Sequence, residues 1–425
     1  MRQPSPEIAI DAAAILPYPA SFPILCNAAW PVRRVACWYG IRRGPRGCAM
    51  PSLNDTVRRL SAFRGMTSAM PSQAGEDRLA DLAGFVSNPG ALRARYYVPG
   101  QLREGAALVV VLHGCTQSAA GYDHGSGWSR LADEHGFAVL FPEQQRANNA
   151  NLCFNWFKPE DIRRDSGETL SIRHMVSAMI AAHGLDAARV YVTGLSAGGA
   201  MASTLLATYP EIFAGGAVIA GLPFGTARSI PEAFDRMRGH GGPAGGALGA
   251  LVAAASGHDG PWPTVSVWHG GSDATVAAAN ADLIVEQWRG LHGVTAEPSV
   301  SDVVDGHAHR TWQNAAGRAV IEEYRISGMA HGTPLNTAGS EACGVAGPYM
   351  LEAGISSTRR IAQFWGLTDG EPVARSQTGG PPVAGELHEV PKLPEASMAA
   401  SHGAGGRNSV TQVIEDALRA AGLMR

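Results

Sequence analysis

The sequence is short of the features that would send it to a membrane or to nucleic acid. No stretch reaches the ~18 consecutive apolar residues that a membrane-spanning helix needs. Near the N-terminus the apolar stretches are interrupted by Pro17, Pro19 and Pro23. They also precede the arginine-rich segment instead of following one, the reverse of a secretory signal. Like charges form no long block and the formal net charge is −3, so the electrostatic footprint of a nucleic-acid or anionic-membrane binder is missing. A small neutral substrate suits this balance better. Cysteine is scarce, and no CxxC or Cys/His ligand spacing occurs, so no zinc site is expected and nothing calls for another metal or a cofactor. No internal repeat is visible, and nothing specifies an oligomeric state. What remains is a chain of 425 residues, 45% hydrophobic and 17% charged, enough for a sizeable core in one large α/β domain or two smaller ones.

From Arg93 onward the pattern runs strand, turn, helix, repeatedly, which is the signature of a mostly parallel sheet covered on both faces. Strands are expected at 93–98, 108–112, 137–141, 190–193, 217–220, 265–268 and 320–326, several of them continuous β-branched runs. Helices are expected at 128–135, 170–183, 199–209, 276–289 and 356–365. Between Gly221 and Pro263 a stretch rich in Gly, Pro and Ala, with helical character at 231–238, reads as an excursion from the sheet and a possible small lid.

Outside this core, residues 1–49 show neither helical nor strand periodicity and are expected to be a disordered leader, with 50–83 an N-terminal helical segment. The working protein is expected to start at or near Met50, which an intact mass including residues 1–49 would refute. Residues 84–367 form the expected catalytic domain, 368–407 a flexible linker rich in Pro, Gly, Ser and Glu, and 408–425 a short amphipathic helix. Three cysteines, Cys26, Cys37 and Cys48, fall in the leader, leaving Cys115, Cys153 and Cys343 in the folded part. A Cys115–Cys153 pair would favour an oxidising compartment, and buried free thiols are the equal alternative.

The chemistry centres on Gly194-Leu195-Ser196-Ala197-Gly198, a G-x-S-x-G motif preceded by the strand Val190-Tyr191-Val192 and followed by a helix. A serine in that sharp turn has its hydroxyl aimed out of the sheet, and the helix start beneath it favours developing negative charge. The bland reading is a glycine-rich turn that binds phosphate or only packs closely. A serine hydroxyl needs a base, and the base an orienting acid, in the chain order Ser, Asp or Glu, His. Asp273 lies just past the strand Val265-Ser266-Val267-Trp268, where the acid belongs, although it could instead cap the helix that follows. Asp259, Asp302 and Asp305 follow no convincing buried strand. His331, in a small-residue loop after the last strand, is preferred as base over His307 and His309, which are expected on a solvated hairpin. Two backbone donors should face the oxyanion, Ala197 N–H and, from the loop His113-Gly114-Cys115, Cys115 N–H. His113 is expected to hold that loop in place.

The set HGCTQ at 113–117, CFNWF at 153–157, GLSAGGAM at 194–201, WHGGSDATV at 268–276 and GMAHGTPL at 328–335 resembles the poly(3-hydroxybutyrate) depolymerase family of esterases. The resemblance covers roughly 84–367. It implies an α/β-hydrolase fold and cleavage of hydroxyalkanoate esters, with relatives acting on acetylated or feruloylated polysaccharide. Carried over by position, Ser196 is the nucleophile, Asp273 the acid, His331 the histidine and Cys115 an oxyanion donor. Trp156 resembles an aromatic that contacts substrate near the scissile ester, a core tryptophan being the alternative. The family implies an extracellular or periplasmic enzyme, with a cytoplasmic one left open by the missing secretory signal. Rival readings are a polysaccharide esterase or peptidase on the same fold, and an inactive hydrolase-like binding protein.

Overall fold

The computed structural model describes residues 77–339 and 341–368. The expected leader, the C-terminal helix, residues 50–76 and residues 369–407 of the linker lie outside the described residues. Of the segment expected to be helical over 50–83, the described part is not helical and carries a short strand.

In chain order the strands are β1 (Ala80–Asp81), β2 (Arg93–Tyr97), β3 (Leu108–Leu112), β4 (Ala138–Glu143), β5 (Val190–Leu195), β6 (Gly215–Ile219), β7 (Thr264–Gly270), β8 (Val300–Val304), β9 (His307–Gln313), β10 (Ala319–Ile326), β11 (Thr333–Leu335) and β12 (Met350–Glu352). The helices are α1 (Ala119–Ser126), α2 (Trp128–His135), α3 (Pro159–Ile162), α4 (Gly167–His183), α5 (Ala197–Thr208), α6 (Ile230–Met237), α7 (Gly246–Ser256), α8 (Ala279–His292) and α9 (Ser357–Phe364). Ten strands form one sheet in the order β1-β2-β4-β3-β5-β6-β7-β10-β9-β8. The middle six, from β4 to β10, pair in parallel, and antiparallel strands close both edges.

The parallel strands are apolar throughout because both of their faces are covered. In β3, Leu108, Val110 and Leu112 join Met175 of α4, Leu205 of α5 and Trp288 of α8 in the core on one face. Val109 and Val111, pointing the other way, join Tyr122 of α1, Trp128 of α2 and Ile361 of α9. Each such side chain contributes roughly 1.5–3 kcal/mol by leaving water, so the two layers together fix the sheet between its helices.

All seven expected strands are present, with ends shifted by up to two residues. A hairpin was expected about His307 and His309, but its strands were not delimited: β8 is an edge strand, exposed almost throughout, and gives no buried alternation to read. Its turn is Asp305-Gly306, both with positive φ, which suits a tight hairpin. His307 and His309 therefore sit on a hairpin, but they are partly buried and partnered and not solvated. His309 stacks on Tyr324 and bonds Asp302, and His307 bonds two backbones. The excursion after β6 holds two helices, α6 as expected and α7 in addition.

Candidate active site

The site lies at the carboxyl ends of the parallel strands, where an open α/β sheet presents its loops. Ser196 follows β5 and precedes α5, with φ 57° and ψ −117°, a conformation that non-glycine residues rarely adopt. Its N–H donates to Ile219 O at 2.9 Å and its C=O accepts from Ala200 N–H at 2.9 Å. The flanking glycines permit this turn. A Cβ on Gly194 would lie 2.4 Å from Gly198 C and O, and one on Gly198 would lie 2.4 Å from Leu112 O.

Past the end of β7, Asp273 spans two loops. Its Oδ1 accepts from Thr275 N–H at 2.8 Å and Val276 N–H at 2.9 Å, while Oδ2 accepts from His331 Nδ1–H at 2.7 Å. Asp273 does not cap the following helix, whose N-cap is Ala278; its Oδ1 holds the turn before that helix while its Oδ2 faces His331. This bonding also explains why α8 starts at Ala279 and not at Val276: the intervening residues form the turn that Asp273 holds. Burial opposes the Asp273 charge, but hydrogen bonds from His269 and His331, the His331 charge and the Val276 N–H outweigh it and hold the carboxyl well below the usual range.

The loop carrying His331 is stitched to the Asp273 loop by backbone bonds, Gly271 N–H to Ile326 O at 2.8 Å and Ser272 N–H to Met329 O at 3.0 Å. Gly270 is required there, since a Cβ would lie 2.3 Å from Met329 O. His307 ties the same loop down: its Nδ1 accepts from Ser327 N–H and its Nε2–H donates to Ala353 O. Tyr349, 43% exposed, meets the His331 ring edge to face with centroids 6.2 Å apart. With Nδ1 donating to Asp273, His331 keeps Nε2 as a bare acceptor. Among the described residues Ser196 Oγ makes no hydrogen bond to His331.

Beside the serine, the β3 loop is held on several sides. Thr116 N–H donates to Asn151 O, Gly114 N–H to Gln117 Oε1, and Cys115 is disulfide-bonded to Cys153. His113 is buried and holds the loop as expected, its Nδ1–H donating to Gly114 O and its Nε2 accepting from Gln144 N–H. Among the described residues neither the Cys115 N–H nor the Ala197 N–H has an acceptor. Trp156 is 7% exposed and belongs to a small apolar cluster that also holds Ala197, the residue after the serine, with Ala200, Leu222, Ala233 of α6 and Val276.

Sequence reasoning missed the carboxyl that supports this loop. Glu168, fully buried near the start of α4, accepts from Gln144 Nε2–H at 2.6 Å, Asn155 N–H at 2.9 Å and Asn155 Nδ2–H at 2.8 Å. Burial and the neighbouring Asp161 charge push it up to about 8. Through Asn155 it fixes the segment that carries both Cys153 and Trp156.

A mostly parallel sheet in this order, with a strained serine at its central strand-to-helix turn, defines an α/β-hydrolase. Residues 92–303 match the family model described as Esterase PHB depolymerase. The chain belongs to that family and is an ester hydrolase. It is 46% identical over 318 residues to poly(3-hydroxyalkanoate) depolymerase C of Paucimonas lemoignei, covering 74% of this chain and 77% of the relative. A probable acetylxylan esterase A of Aspergillus clavatus is 29% identical over 283 residues, covering 65% of this chain and 90% of that one. Among solved structures, an acetyl xylan esterase from Aspergillus awamori superposes with a TM-score of 0.58 at 23% identity, over 68% of this chain and 99% of that one, a likeness of fold.

Proposed function

We propose that the protein is a serine esterase that cleaves hydroxyalkanoate esters, polymeric or oligomeric, through an acyl-enzyme. The observation that carries the mechanism is the His331 Nδ1–Asp273 Oδ2 bond at 2.7 Å, at the same rim of the sheet as the strained Ser196. His331 Nε2 takes the Ser196 proton as Oγ attacks the ester carbonyl. The oxyanion is received by the Cys115 and Ala197 N–H groups, each worth about 3–4 kcal/mol of transition-state stabilisation. The imidazolium then protonates the leaving alcohol, and in the second half His331 takes a proton from water, whose oxygen attacks the acyl carbon, and returns it to Ser196 Oγ as the acyl–oxygen bond breaks and the acid leaves. Asp273 stays ionised throughout and fixes the His331 tautomer. Trp156 forms an apolar wall beside Ala197 and meets substrate through the little surface it keeps open. No step calls for a metal or a cofactor.

The hydroxyalkanoate substrate is supported by the depolymerase relative at 46% identity. A polysaccharide esterase is the second reading, favoured by the acetylxylan esterase relative. An extracellular or periplasmic setting is supported by the Cys115–Cys153 disulfide. No helix among the described residues is long and apolar enough to cross a membrane. The test is hydrolysis of p-nitrophenyl butyrate, hydroxybutyrate oligomers and polymer, and acetylated xylan by the wild type and Ser196→Ala. Activity on the hydroxybutyrate esters that disappears in the variant supports the reading. Full activity in Ser196→Ala removes the mechanism, and preference for xylan removes the substrate.

A further inference from the structure

Asp273 is gripped by a second histidine that the mechanism above does not use. His269, the penultimate residue of β7, has a fully buried side chain. Its Nε2 lies 2.9 Å from Val276 O and 3.4 Å from Asp273 Oδ2. Its Nδ1 is buried with no hydrogen-bond partner among the described residues. These facts fix the protonation of the ring. Both acceptors stand at Nε2, so the single proton sits there. A second proton on Nδ1 would bury an N–H with no acceptor among the described residues, which is unfavourable. His269 therefore donates through Nε2 to the backbone carbonyl that closes the 273–276 turn, with the carboxylate oxygen that faces His331 in contact at 3.4 Å.

The carboxylate of Asp273 then receives donors from four directions. Oδ1 takes two backbone N–H groups and Oδ2 takes one imidazole from each side, His331 at 2.7 Å and His269 at 3.4 Å. Four sites are what an ionised carboxylate offers. A turn of the carboxylate about its side-chain bond would break all of these contacts at once, and among the described residues His269 is the group on the β7 side that meets Oδ2. We propose that His269 is a positioning residue of this esterase, fixing the Asp273 carboxylate and the 273–276 turn so that Oδ2 stays aimed at His331 Nδ1–H. The proposal rests on the assignment of Ser196, Asp273 and His331 as the triad.

Side-chain reach separates the possible substitutions. His269→Gln can place an amide N–H near the position of Nε2. His269→Asn is one carbon too short for that, and His269→Leu carries no donor. On p-nitrophenyl butyrate, kcat should fall by about 10- to 100-fold in the Leu and Asn variants, as expected when a catalytic group is displaced by ~1 Å. KM should stay within about twofold, and Gln should recover most of kcat, because substrate itself is not touched. The low-field proton resonance of the His331–Asp273 bond should persist in the wild type and His269→Gln and be lost or shifted in His269→Leu, which a residue that only fills space would not bring about. Unchanged kcat and an unchanged resonance in a folded His269→Leu would overturn the proposal. Should that variant not fold, the order of the other two decides, and His269→Asn equal to or better than His269→Gln overturns it. Ser196→Ala and labelling of Ser196 by a fluorophosphonate run alongside: an active Ser196→Ala refutes the triad, whereas a dead Ser196→Ala beside a fully active His269→Leu refutes only the role of His269.

Discussion

Exchanging Ser196 for glycine should make the protein more stable than exchanging it for alanine, the reverse of the usual order. Both variants lose the hydroxyl and should be inactive, so activity does not separate them. They differ in what the backbone must tolerate at φ 57° and ψ −117°. Alanine keeps the Cβ and inherits the strain, which for such conformations is about 1–3 kcal/mol. Glycine adopts them without a steric penalty but loses more conformational freedom on folding, roughly 0.5–1 kcal/mol relative to alanine. The two effects oppose, and strain is the larger. The Gly variant should therefore exceed the Ala variant by up to about 2.5 kcal/mol, with a mid-range value of about 1 kcal/mol. Side-chain packing changes little in the comparison, because Ser196 is only partly buried and both replacements are small. Equilibrium unfolding in urea gives the difference from the midpoints, provided the slopes agree. An Ala variant as stable as the Gly variant, or more so, would show that the turn is not strained, and the account of how the serine is presented would have to be given up.

Three other perturbations follow from the same contacts. Asp273→Asn can keep the hydrogen-bonded geometry while favouring the wrong His331 tautomer, so kcat should drop by up to about ten-thousand-fold with little change in KM, and steady-state kinetics that leave kcat within tenfold would contradict the pairing. Opening the Cys115–Cys153 bond by the double exchange to serine frees the loop that carries the Cys115 N–H; about 2–4 kcal/mol of stability and up to ~100-fold in kcat should go together, and loss of one without the other would separate loop anchoring from folding. Glu168 gives a pH signature in stability. Its carboxyl, raised from 4.5 to about 8 in the folded state, binds a proton that the unfolded chain has already released. The stability it contributes is therefore present below about pH 4.5 and lost as pH rises through about 8, by an amount on the order of 3–5 kcal/mol. Glu168→Gln abolishes this titration, so the stability difference between wild type and variant should slope across that window in urea unfolding at several pH values, and a flat difference would rule the assignment out.

The sheet was legible in the sequence because burial on both faces leaves a mark that survives without coordinates. Runs such as Leu108-Val109-Val110-Val111-Leu112 have no polar side to show, and between glycine-rich turns they have only a buried strand to become. The edge was illegible for the same reason in reverse. In β8, Val300 and Val303 are exposed and no face is consistently covered, so its alternation carries no information about which side meets the core. Pairing with β9, set by the Asp305-Gly306 turn, and not a hydrophobic pattern, makes it a strand.

The candidate site divides along a similar line. Ser196, Asp273 and His331 could be picked out because each is fixed by its place relative to a strand end, and strand ends are readable. Glu168 and His269 could not, since each matters only through what lies across space. Glu168 is one of many acidic residues at a helix start, an ordinary position on electrostatic grounds; what distinguishes it is that Gln144 and Asn155, on a separate loop, both turn toward it. His269 sits in the motif with Asp273 four residues on, yet along a strand side chains alternate between faces and a separation of four predicts nothing about contact once the strand has ended. Only the turn at 273–276, drawn back by two N–H bonds to Asp273 Oδ1, returns the carboxylate to the His269 ring. The residues proposed to do chemistry were thus marked by local geometry, and those proposed to hold them by tertiary closure. That is why a motif can name a nucleophile, its base and its acid, while the groups that keep them aligned emerge only when the chain is folded.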